Sequence, residues 1–380
     1  MRDLLQALRS QQTPMVRLLR RMVAAESPSF DKAAVDRFGQ IVAAEWRRRG
    51  ARVEFLRQTE RADHVRAELH LGRGRHTGQI LILGHLDTVY PLGTLARIPF
   101  RIARGRAWGP GTFDMKGGLV MALFAVDALR RAGIAIRKRL VFLWTSDEEI
   151  GSGTSRAAIE REARRSDAVL VLEPAFGVQG RLKTQRKGVG EVTLRVKGRS
   201  AHAGIDPRKG INAVHELALQ IARLMRLNDP RRGITVQATV VEGGTFSNVV
   251  PEKAEAKVDV RIARASDARP VNRTLRNLRP ILKGARIEVR GGINRPPLER
   301  SPAVRALFRH AQSLAQEIGF DLGEASTGGG SDGNFTAALG VPTLDGLGAV
   351  GNGAHSPREH LILRALPQRT ALLAALLATL

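Results

Sequence analysis

The sequence predicts an α/β fold: a mostly parallel sheet with helices on both faces, interrupted by an inserted α+β domain. Three observations predict it. Between 79 and 173, short apolar runs alternate with helix-period segments, the pattern of strands buried on both faces. From 187 the runs give way to alternating apolar and polar residues, as in half-buried antiparallel strands. After 297 the first style returns, so the larger domain reads as 1–186 with 297–380 and the insertion as 187–296.

The elements follow in order. The N-terminal MRDLLQALRSQQTPMVRLLRRM is amphipathic and lacks the apolar stretch and small-residue cleavage site of a secretory signal. QILILG (79–84) reads as a buried strand that ends in polar HLDT. Residues 116–132 have helical spacing, with Gly133 as a stop. RLVFLW (139–144) and AVLVLE (168–173) are two further buried strands. In the insertion, 190–198 alternates, 207–227 is helical, 234–241 and 254–262 alternate, 266–283 is helical and 285–290 alternates. That β-α-β-β-α-β order is the ferredoxin-like arrangement. A helix, a glycine-rich loop, the strand VPTLDGL (341–347) and a terminal helix complete the chain.

Composition narrows the functional classes. The chain has 380 residues and no cysteine, so disulfides and thiolate metal sites are excluded. Any metal must be held by imidazole and carboxylate. The final segment, LILRALPQRTALLAALLATL, is apolar but broken by Arg364, Pro367, Gln368 and Arg369. It leaves too short a run for the roughly 20 residues of a bilayer span and reads as a core helix. The expected address is therefore cytoplasmic, by default. The net charge of +25 would attract polyanions, but the arginines are scattered among acids and aromatic content is only 4%, poor for base stacking. A solvated basic surface without specific nucleic-acid binding is the expectation. Residues 187–296 hold 22 Lys and Arg against 10 Asp and Glu, which favours anionic ligands there.

Five segments carry chemistry. GHLDT offers His85 and Asp87, which point the same way in an extended chain, so the carboxylate can accept the second imidazole N–H of a metal-bound histidine. Alone, that pattern fits a structural histidine better. WGPGTFDMKGG (108–118) surrounds Asp114 with four glycines and a proline, more than a helix cap needs. TSDEEIGSG (145–153) follows a buried strand with adjacent Glu148 and Glu149, whose mutual repulsion in a closed site a cation would relieve; two solvated loop acids are the alternative. Glu173 closes AVLVLE, as a rim residue or a ligand. GNGAHSPREH (351–360) places His355 after two glycines, whereas His360 reads as a surface or helix-start residue. Together they supply two histidines and three carboxylates around a base, the make-up of a two-metal hydrolase.

These segments, with GRSAHAG (198–204), GGTFSNVVP (243–251), DVR (259–261) and GGGSDGNF (328–335), resemble the di-zinc aminoacylase/glutamate carboxypeptidase family. That family also contains acetylornithine deacetylase and succinyl-diaminopimelate desuccinylase. The resemblance spans essentially the whole chain and is nearest to glutamate carboxypeptidase-like members. It implies two Zn2+, with Co2+ or Mn2+ as alternatives. His85 and Glu173 would hold one ion, Glu149 and His355 the other, and Asp114 would bridge them, followed by a cis peptide. Glu148 would be the acid/base and Asp87 a further catalytic residue. The insertion would be a lid and dimerisation domain, whose His202 would stabilise the oxyanion in the partner subunit's active site. Asn248 and Arg261 would bind substrate, and Gly329 and Gly330 would offer backbone N–H groups to its carboxylate.

The activity implied is that of a zinc-dependent metallopeptidase/amidohydrolase, cleaving an amide beside a carboxylate-bearing residue with metal-activated water. An N-acyl-amino-acid deacylase is the alternative. The substrate expected is a small peptide or N-acyl amino acid, with a homodimer and no membrane partner. A basic nucleic-acid-binding protein on an inactive scaffold is the non-enzymatic rival, and an intact ligand set and base argue against it.

Overall fold

A computed structural model describes residues 2–72 and 76–380. The chain divides into two compact units. One comprises Met1–Gln185, Arg300–Ser326 and Ser331–Leu380; the other comprises Arg186–Glu299 and Thr327–Gly330. The principal strands, in chain order, are β1 (Arg52–Leu56), β2 (His64–Leu69), β3 (Gln79–His85), β4 (Arg139–Thr145), β5 (Ala168–Val171), β6 (Gly188–Lys197), β7 (Thr235–Gly243), β8 (Lys253–Ile262), β9 (Arg286–Arg295) and β10 (Thr343–Leu344).

The first unit is built on a six-stranded sheet of order β1-β2-β4-β3-β5-β10. β3 runs parallel to β4 and β5, and β5 parallel to β10. β1 and β2 are added antiparallel at one edge. The sheet is α/β and mostly parallel, as the unbroken apolar runs require: every residue of β3 is buried, because both faces are covered. The helix Gly117–Arg131 packs against the terminal helix Ala365–Thr379, whose residues 366–377 are buried apart from Gln368. The apolar terminus is thus a core helix. Among the described residues, no helix is long and apolar enough to cross a membrane.

The second unit has the β-α-β-β-α-β order, with an antiparallel sheet of order β7-β8-β6-β9. Val192, Leu194, Val258 and Val260 from its strands meet Leu217 and Leu275 from its helices in a separate core.

Three elements are shorter than the sequence pattern suggests. The helix expected over 207–227 becomes a short 3-10 turn, Pro207–Lys209, and a helix Ala213–Met225 whose first turn is capped by Asn212. The helix expected to 283 stops at Arg276; Pro280 disfavours helical geometry in the residue before it. The strand expected over 341–347 is regular only at Thr343–Leu344, where it pairs with β5, and Asp345 adds an isolated antiparallel bridge to Lys183. Pro342 has no N–H for the ladder, and Gly346, at φ +75°, turns the chain away.

Candidate active site

The expected metal ligands all lie in the first unit. His85 ends β3, Glu148 and Glu149 occupy a 3-10 turn just past β4, and Glu173 follows β5 by two residues. β3, β4 and β5 are neighbouring parallel strands, so all four side chains arise at their carboxyl ends, where open α/β sheets bind ligands. Asp114 sits in a tight loop that needs Gly109 at φ +145° and Gly111 at φ +70°, conformations that side chains disfavour. The Asp114–Met115 peptide is cis. His355 has left-handed backbone, φ +60°. Its loop is brought to the Asp114 loop by the strand His360–Ile362, which pairs antiparallel with Arg106–Trp108.

The side chains form two half-sites that share Asp114. His85 Nε2 lies 3.3 Å from Asp114 Oδ1 and 3.4 Å from Glu173 Oε1. His355 Nε2 lies 3.4 Å from Asp114 Oδ2 and 3.1 Å from Glu149 Oε2. One carboxylate therefore presents its two oxygens to two different imidazoles. Glu148 joins this cluster: its ligand atom and those of His85 and Glu173 lie within 4.8 Å of one another.

The electrostatics favour cations. Burial opposes charge on Asp114, yet the His355 and His85 imidazoles outweigh it and hold the carboxyl far below the usual range. Burial beside Asp114 pushes Glu149 up to about 7. The Asp114 and Glu149 carboxyls raise His355 to about 10. Burial resists charge on His85, but the carboxyls of Asp114, Asp87 and Glu173 carry it well above its usual value. Protein groups alone must thus hold protons on both imidazoles to balance the carboxylates. Two divalent cations would replace those protons, and the oxygen and nitrogen donors suit zinc or a similar ion.

Asp87 faces both His85 and the neighbouring turn. The nearer acceptor for His85 Nδ1 is the main-chain carbonyl of Asp87, at 2.9 Å, with the carboxylate at 3.5 Å. That carbonyl fixes the tautomer and leaves Nε2 to face Asp114 and Glu173. The Asp87 carboxylate also accepts the backbone N–H groups of Glu148 (3.3 Å) and Glu149 (3.2 Å) and the hydroxyl of Ser29 (2.7 Å). Ser29 carried no sequence signal. Neither did Glu359, a buried carboxylate bonded to the Asp114 loop, although its spacing of four from His355 was available to read. His360 is not a surface or helix-start residue: it is buried in a short strand, 4.3 Å from the Trp108 ring.

The remaining expected residues lie in the second unit. His202 is exposed, and its Nδ1 accepts the N–H groups of Gly204 (3.2 Å) and Ile205 (3.1 Å), so Nε2 carries the ring's outward N–H. Asn248 is its neighbour: the Asn248 carbonyl accepts from Ala203 N, and His202 bridges to Val249. Arg261 grips Asp259 with Nε and Nη2, at 2.8–3.1 Å, and donates Nη1 to the Gly328 carbonyl. Gly329 and Gly330 turn their carbonyls to Arg186, and the Gly329 N–H meets Thr327 Oγ1 at 3.4 Å.

Residues 81–379 match the description of Peptidase family M20/M25/M40. The chain belongs to this family. It is accordingly a metallopeptidase/amidohydrolase, and the resemblance read from its motifs holds. Among relatives in this family, Carboxypeptidase G2 of Pseudomonas sp. (strain RS-16) is 31% identical over 380 residues, covering 98% of this chain and 91% of that protein. Acetylornithine deacetylase of Klebsiella pneumoniae (strain 342) is 28% identical over 269 residues, 65% of this chain and 67% of that protein. The crystal structure of aminopeptidase PepT from Bacillus cereus ATCC 10987 shares the fold, with TM-score 0.78 at 22% identity, over 97% of this chain and 98% of that one.

Proposed function

We propose that this protein is a glutamate carboxypeptidase-like exopeptidase, hydrolysing an amide bond next to a carboxylate-bearing residue. The observation that carries the reading is the pair of half-sites joined through Asp114, with Glu148 beside His85 and Glu173. His85, Glu173 and Asp114 Oδ1 would hold one ion; His355, Glu149 and Asp114 Oδ2 the other. When bound, two divalent ions, zinc or else cobalt or manganese, lower the pKa of water and polarise a carbonyl oxygen.

The rest is done by the chain's own groups. Glu148 takes the proton of the attacking water and later passes it to the leaving amine. Asp87 holds the Glu148 turn through its two N–H bonds, and so aims the base. His202 offers its Nε2–H to the developing oxyanion, supplied from a second copy of the chain in a homodimer. An unpaired edge at β7, where Val240 and Val241 are exposed, supports dimerisation through the inserted unit. Asn248 and the 329–330 loop contact the substrate. Arg261 recognises its carboxylate by exchanging Asp259 for it, a swap between equivalent bidentate partners.

The similarity to Carboxypeptidase G2 supports a peptide or N-acyl substrate ending in an acidic residue, C-terminal glutamate being the first to try. The match to acetylornithine deacetylase favours a second reading, deacylation of an N-acyl amino acid by the same groups. A panel of peptidyl and N-acyl amino acids, each with a free or an amidated carboxyl, separates the two. Glu148→Gln should retain metal and lose nearly all hydrolysis; retained activity with verified metal content removes Glu148 from the role. His202→Ala mixed with Glu148→Ala should regain activity, and no recovery after proven subunit exchange refutes the shared site.

A further inference from the structure

We infer that Glu359 is a positioning residue that sets the main chain carrying Asp114 and thereby the spacing of the two half-sites. The inference rests on the proposed bridging role of Asp114. Glu359 is 2% exposed. Its Oε2 accepts the N–H of Gly111 at 2.9 Å, and its Oε1 accepts the N–H groups of Phe113 at 2.8 Å and of Asp114 itself at 2.9 Å. Its main-chain carbonyl accepts a fourth N–H, that of Gly109, at 3.2 Å. Three amides of one short loop converge on a single carboxylate, an arrangement of the kind that elsewhere captures an anion. Here the chain fills it with its own side chain.

The geometry gives the carboxylate leverage over both ions. Asp114 reaches His85 with one oxygen and His355 with the other, so a displacement of its Cα disturbs both contacts together. Glu359 is bonded to the N–H of that same residue, and it lies four residues after His355, immediately before the strand His360–Ile362 that pairs with Arg106–Trp108. It therefore sets the Asp114 loop and the His355 loop against each other. The Tyr90 hydroxyl, which donates to the Ser356 carbonyl at 3.0 Å, ties the His85 loop into the same frame. A merely structural buried acid would need no such focus on the segment that bears the shared ligand.

Glutamine at 359 can keep its oxygen toward Phe113 and Asp114 only by turning an NH2 group toward the Gly111 N–H, donor against donor. The test compares wild-type protein with Glu359→Gln and Glu359→Asp, each stripped of metal and titrated with Co2+. Visible absorption reports ligand geometry, and calorimetry reports affinity. Removal of a partner of this kind typically weakens metal binding by about 10–100-fold. We expect that loss in Glu359→Gln, with altered Co2+ bands and a metal-free melting temperature within a few degrees of wild type. Glu359→Asp, one methylene too short to reach all three amides, should move the same way. Wild-type affinity and spectrum in either folded variant overturn the inference while leaving the proposed function intact. Failure of both variants to fold also overturns it, by assigning Glu359 to the fold. Wild-type protein that takes up no Co2+ removes the reading on which the inference stands.

Discussion

Asp87→Asn separates two functions that one carboxylate could serve. If the side chain acts on His85, its loss should release metal. If it acts on the Glu148–Glu149 turn, metal should stay and turnover should fall. The distances favour the second: the carboxylate is 3.5 Å from His85 Nδ1, which has a main-chain carbonyl at 2.9 Å, but it accepts three donors of its own, at 2.7, 3.2 and 3.3 Å. Asparagine retains one acceptor oxygen. Placed toward Glu149 N and Ser29 Oγ, it leaves an NH2 group facing Glu148 N, donor against donor.

Loss of a hydrogen bond to a charged acceptor is worth about 1.5–3 kcal/mol, and about 1.4 kcal/mol corresponds to a factor of ten in rate. The expected fall in kcat is therefore on the order of 10–100-fold, with metal content unchanged. The assay is steady-state hydrolysis of an N-acyl glutamate by protein whose metal is quantified by elemental analysis of the same sample. Loss of metal in proportion to loss of activity refutes the reasoning and returns Asp87 to the side of His85.

Other outcomes follow from the same structure. Ser29→Ala removes one of the three donors to Asp87 and leaves both main-chain bonds, so kcat should fall only a few-fold; a loss equal to that of Asp87→Asn in parallel assays would contradict the assignment. Burial lowers the pKa of His64 although Asp147 pulls it upward, and its Nδ1 accepts the Ser146 N–H at 3.2 Å. Below about pH 6.5 the unfolded chain binds a proton that the folded imidazole resists, so stability held above that pH is lost as pH falls. His64→Gln should flatten the decline of melting temperature between about pH 7 and 5, and an unchanged slope argues against the linkage. Leu373→Ala, at a fully buried position of the terminal helix, should cost about 2–5 kcal/mol by urea denaturation; a near-neutral change would mean that the helix is not part of the core.

Much of the fold was legible because parallel strands buried on both faces must be unbroken apolar runs, and QILILG, RLVFLW and AVLVL are such runs. Their ends located His85, the Glu148–Glu149 pair and Glu173, because polar residues can follow such a strand only where it leaves the core. The glycines of 109–118 were legible for a related reason: positive φ leaves a compositional trace. Strand 341–347 was overread because aliphatic content suggested pairing that Pro342 and Gly346 deny. His360 was misread because nothing local announces that Trp108, more than 250 positions away in sequence, covers its ring.

Asp87 and Glu359 were harder to read for one shared physical reason: their partners are backbone amides. Sequence periodicity reports side-chain class, but every residue except proline carries an N–H, so a carboxylate that binds main chain leaves no complementary pattern. The two residues nevertheless follow one logic. Asp87 lies two residues after His85 and holds the N–H groups of Glu148 and Glu149; Glu359 lies four after His355 and holds those of Gly111, Phe113 and Asp114. Each histidine loop thus carries a carboxylate that grips the backbone of a different ligand-bearing loop. Rigidity of the cluster then comes from bonds that are independent of ligand side-chain identity. The ligand carboxylates are left to face the imidazoles, and the burial beside Asp114 that lifts Glu149 toward neutrality is confined to the place where cations would relieve it.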